Sequence, residues 1–325
     1  MKTSAEWRAR LTLIVVMLGV AGCARDATRH VSIATGGTGG VYYPYGGTLA
    51  RLLTTHLPGI NATAEVTGAS VDNLKLLQLG RVELAFTLAD SLAEAQKGTG
   101  PFRETGAVGN ARTLAVLYTN LMHVVARADS GLRRVADLRG RVVSVGSPGS
   151  GTELMADRIL QAAGIDPRAG ITRHALGVAE SASALKDGKV DAFFWSGGVP
   201  TPAVQDLAAT PGISIALIPQ DDVVGRMLLE YGNDLYKLSI IPAGLYRGID
   251  TEVPVAGALN LLVASSDLDE QLAYDIVRVM FAHREALTAG HPEARHLAMP
   301  SGLESSPAPF HQGAMRYYRE HGWKQ

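Results

Sequence analysis

Two stretches of this 325-residue chain repeat one local design, 110 residues apart. In the first, residues 31–35 read as a short buried strand. It runs into Gly36, Gly37, Thr38, Gly39 and Gly40, then Tyr42 and Tyr43, and a helix continues through 49–53. In the second, a strand over 141–145 delivers Gly146, Ser147, Pro148, Gly149, Ser150, Gly151 and Thr152 to a helix over 153–160. Glycines let the backbone approach a ligand closely. The helix behind each loop aims unpaired N–H groups and a partial positive charge at whatever sits at its start. A second correspondence follows in the same order: 77–86 matches 185–194, with Gly80 over Gly188 and Val82 over Val190. One match is generic patterning, but two matches in one order predict two equivalent α/β units facing each other.

The remaining elements fit that plan. Strands are expected over 62–67, 82–86, 113–118, 122–126, 213–218 and 259–264, from β-branched and apolar runs bounded by turn residues. Helices are expected over 68–79 (with Ser70 as N-cap), 91–96 and 269–282. Their alternation implies mostly parallel sheets covered on both faces. The stretch 231–249 reads as irregular, and the tail 304–323 as packing back onto the first unit. The lobes are therefore expected at 31–120 plus 255–325 and at 121–254, with hinges near 119–121 and 253–257.

The N-terminus speaks to location. Lys2, Arg8 and Arg10 precede an apolar run over 11–20 that is too short to span a bilayer and fits a secretory signal. It ends in Val20, Ala21, Gly22 and Cys23, which looks like a bacterial lipobox, and Cys23 is the only cysteine. The expectation is an exported lipoprotein cleaved before Cys23 and lipidated there. Residues 23–30 would form a tether, with the membrane reached through the lipid anchor only. A formal net charge of −1 gives no reason to expect a nucleic-acid partner.

Motifs for catalysis are mostly missing. The second loop has the glycine spacing of a P-loop, but Thr152 stands where the phosphate-binding lysine belongs. In the first loop Tyr42 occupies the third glycine position of a dinucleotide fingerprint. A zinc site built on cysteines is excluded by the single Cys23, and neither a metal nor a cofactor is expected. What the loops supply is polar and neutral: the hydroxyls of Thr38, Ser147, Ser150 and Thr152 beside exposed N–H groups. Two helix N-termini converging across a cleft could hold a carboxylate, with Tyr42, Tyr43 and Trp195 covering its carbon skeleton.

Residues 33–40 with Tyr42, Tyr43 and Pro44, residues 144–153, and residues 191–194 with 198–202 together resemble the TAXI-type substrate-binding proteins of TRAP transporters. Residues 241–244, Val253–Pro254 and 317–319 look like that family too, so the likeness covers about 30–320. The resemblance implies a type II periplasmic-binding-protein fold. It also implies capture of a glutamate-, glutamine- or 2-oxoglutarate-like solute and delivery to TRAP permease membrane subunits. Carried over by motif, the ligand-binding residues are Thr38, Gly39, Tyr42, Asp90, Ser147, Ser150, Gly151, Thr152, Trp195 and Gly198, with Tyr43 beside them. Trp195 departs from the small aliphatic residue common there, which puts the ligand's size in question. Two other readings stay open: a ligand-sensing lipoprotein that signals to a receptor, and an enzyme on the same scaffold using Asp90 as a base.

Overall fold

The computed structural model describes residues 28–301 and 305–322. The expected export signal, Cys23 and most of the tether lie outside the described residues. The tether does not reach His30, because Arg29 and His30 already pair with Ile60 and Asn61.

The first unit runs β1 (Arg29–Ala34), α1 (Tyr42–His56), β2 (Ile60–Glu65), α2 (Ser70–Gln78), β3 (Leu84–Leu88) and α3 (Ala89–Lys97). Its strands are parallel in the order β2-β1-β3. Then β4 (Ala111–Arg127) leads into a second unit of β5 (Val142–Ser144), α4 (Gly151–Ala162), β6 (Thr172–His174), α5 (Val178–Lys186) and β7 (Ala192–Gly197). Its parallel order is β6-β5-β7, the same arrangement as the first. The repeated loops in the sequence thus mark two copies of one βαβαβ unit. Next come α6 (Pro202–Ala209), β8 (Ile215–Leu217), α7 (Asp221–Tyr231), β9 (Lys237–Ile241), β10 (Val253–Ser265), α8 (Glu270–Ala282), α9 (Arg284–Gly290) and α10 (Gln312–Glu320).

The units are joined by two long antiparallel strands. β4 has 17 residues and β10 has 13. Each runs beside the innermost strand of one unit, β10 against β3 and β4 against β7. They cross at Gly257–Leu121 and Ala258–Asn120, and the register shifts between Leu259 and Leu261. The expected strands 113–118 and 122–126 are therefore one strand, unbroken at Thr119 and Asn120. Asn120 stays in the ladder while buried because its amide donates to the Ser196 carbonyl at 3.1 Å, so the polar residue has a partner without leaving the sheet. The irregular stretch 231–249 contains β9, which pairs with the first half of β10.

Separate cores fill the two lobes, giving the type II periplasmic-binding-protein architecture. On one side, α1 buries Tyr45, Leu49, Leu52 and Leu53 at helical spacing against Ile33, Phe86 and Leu262. On the other, α4 buries Met155, Ile159 and Leu160 against Val143, Phe194 and Met122. Asp269 caps α8 by accepting from the Leu272 N–H at 2.8 Å, a cap that stabilises by about 1 kcal/mol. The tail returns to the first lobe, where Tyr318 donates to the Leu114 carbonyl at 2.7 Å. Ser70 is not the cap of α2. Ala69 is, at φ 82°, the only non-glycine with positive φ among the described residues, and such strain tends to collect at functional turns.

Candidate functional site

Four helices begin around one cavity between the lobes. From the first lobe come the glycine loop 36–40 with the start of α1 (Val41, Tyr42), and Gly68, Ala69 and Ser70 at the start of α2. The second lobe supplies Ser147, Ser150, Gly151 and Thr152 at the start of α4, and Gly177, Val178 and Glu180 at the start of α5. Tyr118 and Asn120 from β4 and Trp195, Ser196 and Gly197 from β7 complete the wall. Water-sized molecules find about 60 Å³ for their centres inside. One water needs roughly 10–15 Å³ on that measure, so the space suits a small solute.

The turns that shape the wall require glycine. Gly146 has φ 101°, and a Cβ there would lie 2.7 Å from the Thr152 side chain. A Cβ on Gly40 would stand 2.7 Å from the Trp195 ring, and one on Gly151 would stand 2.6 Å from Leu88. The Gly40 and Gly151 contacts are approaches of one lobe to the other, and a methyl group would hold them apart.

The lobes touch on both sides of the cavity. At the start of α2, the N–H groups of Val71 and Asp72 donate to the Gly149 carbonyl at 3.1 and 3.0 Å. Across from them, the Ala203 N–H donates to the Gly39 carbonyl at 3.4 Å. This is a closed cleft.

Polar side chains cross the floor in a continuous line. Tyr42 donates to Asn260 Oδ1, Asn260 donates to Asn120 Oδ1, and Asn120 donates to the Ser196 carbonyl. The Ser196 N–H donates in turn to Thr152 Oγ1 at 3.1 Å. The line runs from the α1 terminus of one lobe to the α4 terminus of the other. Burial raises the Tyr42 hydroxyl well above the ordinary phenol range, so it remains a donor.

Three hydroxyls of the wall accept a backbone N–H: Ser70 from Leu88, Ser150 from Glu153 and Thr152 from Ser196. Ser70 also bonds the Tyr42 hydroxyl, while the hydrogens of Ser150 and Thr152 are free to donate. No lysine, arginine or histidine occurs among the described residues that line the cavity, and its one carboxylate, Glu180, is exposed at the rim. Helix N-termini and hydroxyl donors together favour an anion, each terminus contributing about 0.3–1 kcal/mol. Among the described residues, none of these hydroxyls has a histidine or carboxylate side chain at hydrogen-bond distance, so nothing activates them as nucleophiles.

Of the residues expected from sequence, Thr38, Gly39, Tyr42, Ser147, Ser150, Gly151, Thr152 and Trp195 line the cavity. Three do not. Tyr43 follows Tyr42 on α1 and is 37% exposed, since one helical step of about 100° turns it away. Gly198 lies behind the wall, where a Cβ would strike Glu293 at 2.5 Å and Tyr118 at 2.9 Å. Asp90 is fully buried in a different cluster. There it accepts from the Tyr236 hydroxyl at 2.6 Å and the Ser91 N–H at 2.6 Å, with Arg158 3.9 Å away. Burial raises its carboxyl above the usual range, while Arg158 and Tyr236 act against that shift.

Sequence reasoning missed Tyr118, Asn120 and Ser196 as parts of the wall, and two of the four helix starts, at Ala69–Ser70 and at Gly177–Val178. Thr119 and Asn120, polar in an apolar run, were the available signal; a hydroxyl on a buried tyrosine carries none.

The chain shares its fold with XAC2383 from Xanthomonas citri bound to chloride ion: TM-score 0.51 at 12% identity, covering 90% of this chain and 95% of that one. A putative L-cystine ABC transporter from Listeria monocytogenes matches at 0.49 and 15% identity, covering 83% and 98%. The periplasmic aliphatic sulphonate binding protein SsuA from Escherichia coli matches at 0.44 and 16%, covering 90% and 83%. At the level of sequence, a family model spans residues 33–322, nearly all of the described chain, and the protein belongs to the NMT1-like family.

Proposed function

We propose that this protein is an extracytoplasmic solute-binding lipoprotein that closes on a small organic acid or amino acid and passes it, unaltered, to a TRAP-type permease. One observation carries the reading: four helix N-termini and two free hydroxyl donors, on Ser150 and Thr152, meet in a cavity with no basic side chain among its described lining residues. Thr38, Gly39, Tyr42, Ser147, Ser150, Gly151, Thr152 and Trp195 are the proposed contacts. Ligand would favour closure because it touches both lobes at once, which is the differential affinity a population shift requires. Flexing would centre on the β4–β10 crossing at Asn120 and Gly257, dividing 31–120 plus 255–325 from 121–254. Export and lipidation at Cys23 rest on the sequence motif, and the TRAP assignment rests on the motifs shared with TAXI-type proteins.

A thermal-shift panel of glutamate, glutamine, 2-oxoglutarate and simple sulphonates tests the binding claim. A true ligand at about 100 times its Kd stabilises the protein by about 2.7 kcal/mol. Uptake of that ligand driven by an ion gradient supports the TRAP assignment, whereas dependence on ATP hydrolysis assigns the protein to an ABC permease. Turnover of the ligand by purified protein would overturn the transport reading in favour of catalysis.

A further inference from the structure

A buried carboxylate with no place in the cavity wall lies directly behind it. Glu293 belongs to the first lobe: it sits on the short 3-10 helix Pro292–His296, whose Ala294 joins that lobe's core with Leu287 and Leu297. Yet at 3% exposure its Oε1 accepts the N–H of Val199, a core residue of the second lobe, at 2.7 Å. Burying a carboxylate is costly unless it is paired. Among the described residues the one group within ion-pair reach is the half-exposed His296 ring, at 3.8 Å. An apolar side chain would fill this place at lower cost, but it would leave the Val199 N–H without an acceptor. Gly198 admits the carboxylate, since a Cβ there would stand 2.5 Å from Glu293 Cγ.

The loop that Glu293 grips carries the support of Trp195. Thr201 Oγ1 accepts the indole N–H at 2.9 Å, and the same hydroxyl donates to the Gly198 carbonyl at 2.8 Å. The Thr201 N–H donates to the Tyr246 hydroxyl at 3.0 Å, which fixes the loop on the second lobe. The indole in turn stands against Gly40 across the cleft. We propose that Glu293 is a positioning residue for the binding site: from the first lobe it fixes loop 198–201, and through Thr201 that loop holds the Trp195 ring as a wall of the cavity. The effect on binding rests on the reading of the cavity as the solute site, whereas the link from Glu293 to Trp195 is measurable without any solute.

The test uses the full chain carrying Trp7→Phe and Trp323→Phe, which leaves Trp195 as the only tryptophan. Its emission and acrylamide quenching are read without ligand after adding Glu293→Ala, Glu293→Asp, Glu293→Gln or Asp269→Ala. Glu293→Ala should shift the emission to longer wavelength and speed quenching. Glu293→Asp, one methylene short of Val199, should do the same, and it decides the matter alone if Glu293→Ala does not fold. Glu293→Gln keeps a carbonyl acceptor at the same reach and should restore the parent signal. Asp269→Ala removes the α8 cap in the same lobe, so it should lower the melting temperature and leave Trp195 unmoved. Calorimetry with glutamate, glutamine and 2-oxoglutarate completes the test. Any of these that binds the parent should bind Glu293→Asp about five- to tenfold more weakly, the scale of one lost hydrogen bond, and Glu293→Gln as the parent does. An unmoved Trp195 in Glu293→Asp, an equal shift in Asp269→Ala or in Glu293→Gln, or a moved Trp195 with unchanged affinity overturns the inference. If Trp195 moves as expected and none of the three acids binds the parent, the reading of the solute fails and the link from Glu293 to Trp195 stands.

Discussion

The lobes meet in two chemically opposite places. Around the cavity they meet through backbone N–H groups, carbonyls, hydroxyls and amides. In the cluster behind α3 they meet through charge: Arg158 of α4 donates to Glu94 of α3 and, at 2.8 Å, to the Tyr236 hydroxyl, which donates to Asp90. Tyr231 covers the guanidinium face at 4.3 Å. The charged cluster is complete in itself, with each group meeting another at bonding distance. The neutral cavity is incomplete, with free hydroxyl hydrogens on Ser150 and Thr152. A closed, satisfied network holds structure, and an unsatisfied one waits for a ligand. That difference moves Asp90 from binding residue to fastening.

The largest expected effect lies in the charged cluster. Arg158→Met leaves Asp90 fully buried without its countercharge and should lower unfolding free energy by about 3–5 kcal/mol in urea titrations. Adding Asp90→Leu should recover more than half of the loss, because replacing both charges by apolar groups is often close to neutral. A single variant as stable as wild type would mean that the cluster does not fasten the lobes.

Behind the cavity the neutral character extends to a histidine. His123 pairs with Trp195 across the sheet and is fully buried. Its Nδ1 lies 2.9 Å from the Leu121 carbonyl and its Nε2 2.9 Å from the Tyr246 hydroxyl. Donation from Nδ1 and acceptance at Nε2 satisfy a neutral ring. Burial lowers its pKa from 6.5 to about 4. The unfolded chain then binds the proton first, so stability is full above pH 6.5 and falls as pH drops from there to about 4. The loss from this group amounts to roughly 3 kcal/mol. Urea midpoints at pH 7, 5.5 and 4 should show that decline, and His123→Gln should flatten it. A slope unchanged in the variant would place the titration elsewhere.

The smallest effect sharpens the cavity side. Tyr42→Phe removes the first donor of the floor line and should cost about 1 kcal/mol of stability, with weaker ligand binding measured by calorimetry. No change in either would show that the line is not needed to hold the site.

The sequence made the repeat legible because glycine loops before helices have few alternatives, and with it most of the fold and eight of the proposed contacts. It hid the crossing strands. Thr119 and Asn120 read as a break, yet Asn120 finds partners in Ser196 and Asn260 that lie 76 and 140 residues away. The motif for Asp90 was present, but its partners Arg158 and Tyr236 come from the other lobe, and no local pattern reveals a countercharge that distant. Tyr43 stood in the right loop and failed for the opposite reason, a single helical step.

The central claim is that a small acid sits, unaltered, where the helix starts of the two lobes converge. The most direct measurement is to denature freshly purified wild type and Thr152→Ala protein and identify the released molecule by mass spectrometry. The account predicts one small organic anion from wild type, chemically unaltered, and a strongly reduced yield from the variant. A nucleotide, a cation, or equal yields from the two proteins would contradict it.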